Sequence, residues 1–171
     1  SDTLSRIESE LMRIHRTIRE LLDYSRDQRE SRASGSVKQV SEAVIGLVSH
    51  QSKFLQIEVE IDISEELPPV AMSTDRLTQV LLNLVINAAD AMNGPGKIEI
   101  SAQRRGEEIA IQIEDSGPGI SPEDRTQLFE PFFTTKPTGQ GTGLGLAICE
   151  KITTASGGRI EVMNANTGGA V

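Results

Sequence analysis

A single cysteine in 171 residues rules out an intrachain disulfide, so nothing points to an oxidising compartment. That residue, Cys149, lies among Leu144, Leu146, Ala147, Ile148 and Ile152 and reads as a small core side chain rather than a nucleophile. Tryptophan is absent and aromatic residues make up 3% of the chain, too few to stack successive bases. Basic residues are the minority, 17 Lys and Arg against 25 Asp and Glu, and the net charge of -8 repels a polyanion. Both features argue against a non-specific nucleic-acid binder, and no nucleic-acid partner is expected. No apolar run reaches the ~20 residues that cross a bilayer, and no signal peptide is recognisable. The expected location is cytoplasmic, without direct membrane contact by this segment, in a protein whose larger parent could be membrane-anchored.

The familiar mononucleotide motifs are missing too. A P-loop fails because Ala91 stands where its first glycine belongs and Ile98 follows Lys97. A Rossmann fingerprint fails because Leu144 replaces the third glycine and no strand leads into Gly139.

Glycine, by contrast, is plentiful and gathered late, in EDSGPGISPEDRTQLFEPFFTTKPTGQGTGLGLAI, Glu114 to Ile148. A carboxylate closes a strand, Gly117 and Gly119 form one turn, and Gly139, Gly141, Gly143 and Gly145 form a second at the start of a helix expected from about Gly141 to Ala155. Free N–H groups and the helix dipole at such a start favour an anion such as phosphate. Two turns joined by a loop suggest a nucleotide pocket with a lid.

The remaining pattern supplies a frame for that pocket. Apolar residues at Leu4, Ile7, Leu11, Ile14, Ile18 and Leu21 form a heptad seam that expects a partner helix from another chain or an upstream segment. His15 flanks this seam beside Arg13, Arg16 and Arg19, and it and the isolated His50 read as structural. SRDQRESRASGS, Ser25 to Ser36, is polar and ends in small residues, as a linker does. Val37 to Val48 has helical spacing, Ile57 to Ile63 alternates as a half-buried strand, and Leu67 to Met72 is at most a short or edge strand.

Asp75 to Met92 predicts a long helix capped by Ser73 or Thr74, with an apolar face of Leu77, Val80, Leu81, Leu84, Val85 and Ala88. Gln79, Asn83, Asn87 and Asp90 form a separate polar stripe. Such a stripe faces either solvent or a ligand, because amides on an apolar helix are costly without partners. Asn and Asp oxygens four residues apart could hold one Mg²⁺ whose other ligands are phosphates and water. Lys97 to Arg104 and Glu108 to Asp115 predict two further strands. On the second of these, Asp115 shares the parity of Ile109, Ile111 and Ile113 and so points to the core side. A carboxylate there needs hydrogen-bond donors; the exocyclic amine of adenine is one, whereas guanine offers an acceptor. Arg159 to Met163 predicts a last strand, and one more is expected where the chain stops at Val171.

These motifs together resemble the ATP-binding domain of sensor histidine kinases, the GHKL or Bergerat fold shared with gyrase, mismatch-repair and heat-shock chaperone ATPases. NLVINAADA (Asn83 to Ala91) looks like the N box, DSGPGI (Asp115 to Ile120) like the G1 box, FEPFFTTK (Phe129 to Lys136) like the F box, and GTGLGL (Gly141 to Leu146) like the G2 box. The resemblance implies an α+β, two-layer α/β sandwich with a mixed, mostly antiparallel sheet and three helices on one face. Residues 37–171 would be this catalytic domain without its last strand, 31–36 a linker, and 1–30, with its closing LLDYSR, the second helix of a dimerisation and phosphotransfer hairpin. Homodimerisation would run through that helix.

The resemblance also implies roles. Asn87 would hold Mg²⁺, and Asn83, Asp90 and Lys136 would stand near the phosphates of ATP, with Asn83 and Lys136 serving catalysis. Asp115 would accept from the adenine amine, with Gly117, Gly119 and Ile120 shaping that pocket, and Gly141, Thr142, Gly143, Leu144 and Gly145 would offer backbone donors to phosphate. Phe129, Phe132 and Phe133 would fasten the lid. The ATPase relatives carry a Glu one turn before the metal-binding Asn, where it acts as a general base; here that position is Asn83, which cannot take a proton. The γ-phosphoryl should then go to a histidine, and onward to an Asp of a response-regulator receiver domain. His15 is followed by Arg16 and lacks the family's nearby Pro, so the phosphoacceptor is expected outside this chain. Two alternatives accompany this reading: a GHKL serine kinase of the anti-sigma type, and a non-catalytic nucleotide-responsive scaffold.

Overall fold

The computed structural model describes residues 34–137, 141–165 and 168–171. The heptad helix, His15 and Gly139 lie outside the described residues. At the end of the segment read as a linker, Gly35 exchanges two backbone hydrogen bonds with Val70, at 3.2 and 3.0 Å, and the Ser36 side chain caps α1 (Val37–Val48) by accepting from the Gln39 N–H. In α1 the buried side of the helix carries Val37, Val40, Ser41, Val44 and Val48, while Leu47 stays exposed. A short 3-10 helix, Ser52–Phe54, follows, pinned by Phe54 in the core.

Strands β1 (Ile57–Ile63), β2 (Gly96–Arg105) and β3 (Glu108–Asp115) form one sheet in that order. Between β1 and β2 runs α2 (Thr74–Met92), whose N-terminus is capped by Ser73 accepting from the Arg76 N–H. A helical crossover of that length makes the β1–β2 pairing parallel, whereas the tight hairpin at Gly106 makes β2–β3 antiparallel. The sheet is thus mixed, and among the described residues the two isolated bridges, Gly35 with Val70 and Asn164 with Ala170, are antiparallel as well.

Register explains the core. Val59, Ile98 and Asp115 lie abreast, as do Ile61, Ile100 and Ile113, and Ile63, Ala102 and Ile111. Ile98 and Ile100 are fully buried against the face that α1 and α2 cover, through Leu77, Leu81 and Val85. Each such side chain contributes on the order of 2 kcal/mol of hydrophobic stabilisation. Since side chains alternate along a strand, Asp115 falls at the end of this inward row, as its parity requires.

A short helix α3 (Pro122–Arg125) interrupts the glycine loop, capped by Ser121 and opened by a proline at its first turn. The last helix, α4 (Gly145–Ala155), packs on α2, with Leu144, Ile148, Cys149 and Ile152 gathered around Val80. It begins at Gly145 rather than about Gly141. Gly143 has φ +68, a left-handed value that a right-handed helix cannot include.

The expected strand Arg159 to Met163 is not formed. A strand needs a neighbour to exchange backbone hydrogen bonds, and among the described residues the returning segment supplies one to 159–163 only at Met163, which pairs with Val171 at 3.0 and 2.8 Å. Asn164 and Ala170 form the adjoining bridge. Among the described residues no helix is long and apolar enough to cross a membrane.

Candidate functional site

One cleft of about 2210 Å³ runs between α2, the end of β3, the glycine loops and the start of α4. A small-ligand pocket occupies roughly 300–1000 Å³, so the cleft is roomy enough for a small ligand. Its apolar part lies along Ile109, Ile111 and Ile113 of β3, which are only half-buried. Its polar part is lined by Asn83, Asn87, Asp90, Asp115, Lys136 and Gly143.

Asp115 is 7% exposed. Its Oδ1 accepts from the Gly117 N–H at 2.8 Å and from the Ala170 N–H at 3.3 Å, while the Asp115 N–H donates to the Ala170 carbonyl at 2.9 Å. Both side-chain bonds fall on the same oxygen, so among the described residues Oδ2 is left for an outside donor. The next turn is held by Asn164 of the C-terminal segment. Its Oδ1 accepts from the Ile120 N–H at 2.7 Å and its Nδ2 donates to the Ile120 carbonyl at 2.9 Å, so one amide copies a strand's paired bonds and fixes the loop just after Gly119.

On α2 the polar stripe is half-buried and divides by partner. Asn83 Nδ2 donates to the Gly145 carbonyl at 3.4 Å, tying α2 to the first residue of α4. Asn87 Oδ1 accepts from Lys136 Nζ at 3.2 Å, and Asp90 Oδ2 accepts from the same ammonium at 2.7 Å. Asp90 Oδ1 takes a second cation, Lys53 Nζ, at 2.6 Å. Burial pushes the Asp90 carboxyl up, but the hydrogen bonds and charges of Lys136 and Lys53 outweigh it, and its pKa lies below the ordinary value.

The glycine turn before α4 presents backbone rather than side chains. Helix α4 starts without a side-chain cap, which leaves its first N–H groups for another acceptor. A Cβ on Gly141 would come 2.6 Å from Thr134 Oγ1 and 3.2 Å from Lys136 Cδ. The Phe132 N–H donates to the Gly143 carbonyl at 2.9 Å. The loop after α3 is therefore stitched to the turn by backbone, and Phe132 itself is 64% exposed, with only Phe129 and Phe133 half-buried. Of the three phenylalanines expected to fasten the lid, Phe132 meets the glycine turn through its N–H while its side chain is exposed.

Cys149 is fully buried, and burial pushes its thiol up to about 12 against the smaller opposing effect of a hydrogen bond with Asn83. It is a core residue. A disulfide reagent applied to the native chain at pH 8 is expected to release no thiolate colour until denaturant is added; prompt labelling would contradict this placement.

The structure thus gathers Asn87, Asp90 and Lys136 by hydrogen bonds, places Asp115, Gly119 and Ile120 on the cleft wall with Gly117 bonded to Asp115, and sets Gly141 against Thr134 and Lys136 and Gly145 against Asn83 and Asn87. Sequence reasoning misses Lys53 and Asn164. Neither lies in a periodic or motif-like setting, and each meets its partner across a long sequence gap, 37 residues for Lys53 and Asp90 and 44 for Asn164 and Ile120.

A family model described as histidine kinase-, DNA gyrase B- and HSP90-like ATPase matches residues 72–171. The sensor histidine kinase ZraS of Salmonella typhimurium strain LT2 is 35% identical over 160 residues, 93% of this chain and 34% of that protein. Full-length ShkA, solved in complex with AMPPNP, superposes with a TM-score of 0.82 at 26% identity, over 99% of this chain and 37% of its own. The histidine kinase ThkA, solved in complex with the response regulator protein TrrA, gives a TM-score of 0.80 at 29% identity, over 99% of this chain and 49% of its own. The chain spans about a third of the length of the curated relative it matches.

Proposed function

We propose, for a chain that belongs to the histidine kinase-, DNA gyrase B- and HSP90-like ATPase family, that it is the ATP-binding catalytic part of a two-component sensor histidine kinase. Its curated relatives are sensor histidine kinases, and residues 37–171 would be the part that carries the fold of a histidine kinase catalytic domain, as solved for ThkA. Residues 31–36 would link this domain to a dimerising helix in 1–30.

The observation that carries the reading is the buried Asp115, whose Oδ1 is taken by loop N–H groups while Oδ2 is left open to the cleft that also holds Asn87 and the uncapped start of α4. Oδ2 would accept from the adenine amine, with Gly117, Gly119 and Ile120 forming the pocket around it. The backbone of Gly141, Thr142, Gly143, Leu144 and Gly145 would receive the phosphates at the helix N-terminus. AMPPNP, an ATP analogue, is the ligand of the similar ShkA structure.

The residues present fit Mg²⁺. Asn87 Oδ1 already takes a cation, the Lys136 ammonium. No group of three His, Cys, Asp or Glu gathers among the described residues, so Asn87 would hold the metal together with phosphate oxygens and water. Bound there, Mg²⁺ supplies charge neutralisation on the phosphates. Lys136 would add a second positive charge. Asn83, fixed on the Gly145 carbonyl, orients the start of α4 and offers no base to activate water, which keeps the γ-phosphoryl for a better nucleophile. That nucleophile would be a histidine outside this chain, and the phosphoryl would pass on to an aspartate of a response regulator, the kind of partner ThkA is solved with.

The chain is expected to give heat on titration with Mg·ATP yet take up no γ-phosphate itself, and to phosphorylate a separately supplied phosphoacceptor hairpin. Acid treatment distinguishes the target, since phosphohistidine is lost and phosphoserine survives. Acid-stable label, or label on His15, would overturn the assignment.

A further inference from the structure

Asp90 carries one cation on each oxygen, and the two come from different elements. Lys53 reaches Oδ1 from the 3-10 helix Ser52–Phe54, which Phe54 anchors in the core. Lys136 reaches Oδ2 from the lid and also touches Asn87 Oδ1. The carboxylate is 25% exposed, with Lys136 at 29% and Lys53 at 40%. In this arrangement Lys136 occupies the amide oxygen assigned above to the metal. It therefore has to leave when Mg·ATP enters.

Resting on the nucleotide site proposed above, we propose that Lys53 is a positioning residue that lets Lys136 make this exchange. The three side chains sum to a charge of +1. When Lys136 moves to a phosphate, Asp90 and Lys53 remain as a neutral pair, because they meet through the other oxygen. Without Lys53 the departure would strand a partly buried carboxylate beside Asn87, facing the triphosphate. That costs desolvation without a counter-charge and repels the ligand. Lys136 would then be held back on Asp90. The path for the exchange is short, since the Lys136 stem lies against Gly141, in the turn assigned to the phosphates. Lys53 thus acts through Asp90 on Lys136 and needs no contact with the nucleotide.

Calorimetric titrations of the wild-type chain, Lys53→Ala, Asp90→Asn and the double variant with Mg·ATP, each repeated with adenosine, test this. Lys53→Ala should raise the Kd for Mg·ATP about fivefold, near the upper end for a partly exposed ion pair. Adenosine has no phosphate to draw Lys136 away, so its Kd should not move. Lys53→Arg should restore wild-type binding, and in the Asp90→Asn background Lys53→Ala should have no effect, because there is no charge left to neutralise. An equal loss for ATP and adenosine, an unchanged Kd for Mg·ATP, or the same loss in the Asp90→Asn background would overturn the proposal. A wild-type chain that binds neither ligand would overturn the site reading beneath it.

Discussion

Asp115→Asn is expected to weaken Mg·ATP binding about 100-fold and to shift the purine preference from adenine toward guanine. The two backbone donors, Gly117 N–H and Ala170 N–H, both require an acceptor at Oδ1. They therefore dictate how an asparagine would sit. Its carbonyl oxygen would keep those bonds, and its amide nitrogen would take the place of Oδ2. A donor would then face the adenine amine, also a donor, and a buried polar group would be left unpaired at a cost of about 1–3 kcal/mol. Guanine presents an acceptor at that edge and would suffer less. Parallel titrations of wild type and variant with Mg·ATP and Mg·GTP measure the ratio of the two affinities. Unchanged ATP binding, or a loss shared equally by both nucleotides, would mean that Asp115 does not read the purine edge.

The inward position of Asp115 is legible in the sequence alone. The alternation of Ile109, Ile111 and Ile113 sets it by parity, and the register beside fully buried Ile98 agrees. Helix α2 is legible with its cap because Ser73 precedes a clean 3.6-residue apolar period. The strands β2 and β3 are legible within a residue, since a glycine turn separates two alternating runs. Local periodicity carries information of this kind.

Where local rules compete with distant contacts, the sequence misleads. Leu146, Ala147 and Ile148 suggest a helix already under way at Gly141, but the backbone at Gly143 turns left-handed to meet the lid. Residues 159–163 have strand-like composition, yet among the described residues a returning segment pairs with them only at Met163. Lys53 looks like an ordinary surface lysine, and only the fold shows that its ammonium shares a carboxylate with Lys136. Three members of the polar stripe on α2, Asn83, Asn87 and Asp90, line the cleft, but the pattern does not tell that they differ in partner. Asn83 serves the α2–α4 joint, whereas Asn87 and Asp90 face a cation.

At the join between lid and helix a single methyl group should do severe harm. In Gly143→Ala the new Cβ would stand 2.3 Å from the Phe132 carbonyl carbon and 2.6 Å from its Cα and oxygen, all backbone atoms. A left-handed φ of +68 adds strain of about 1–2 kcal/mol for a residue with a side chain. The turn cannot slide away, because the next residue, Leu144, is fully buried against α2. Phe132, whose side chain is exposed, has to move instead, and its bond to the Gly143 carbonyl breaks. The lid then no longer carries Lys136 to its place beside Asn87 and Asp90. Binding of Mg·ATP is expected to fall about 100-fold, near 3 kcal/mol, while adenosine, held at the Asp115 end, binds as before. Gly106→Ala serves as the control: its φ is +66, but nothing lies within 4 Å of the added methyl. It should cost about 1 kcal/mol of stability, seen by denaturant titration, and leave nucleotide affinity unchanged. If both variants lost affinity alike, backbone strain rather than the lid contact would be the cause, and the stitching of Phe132 to Gly143 would have no part in binding.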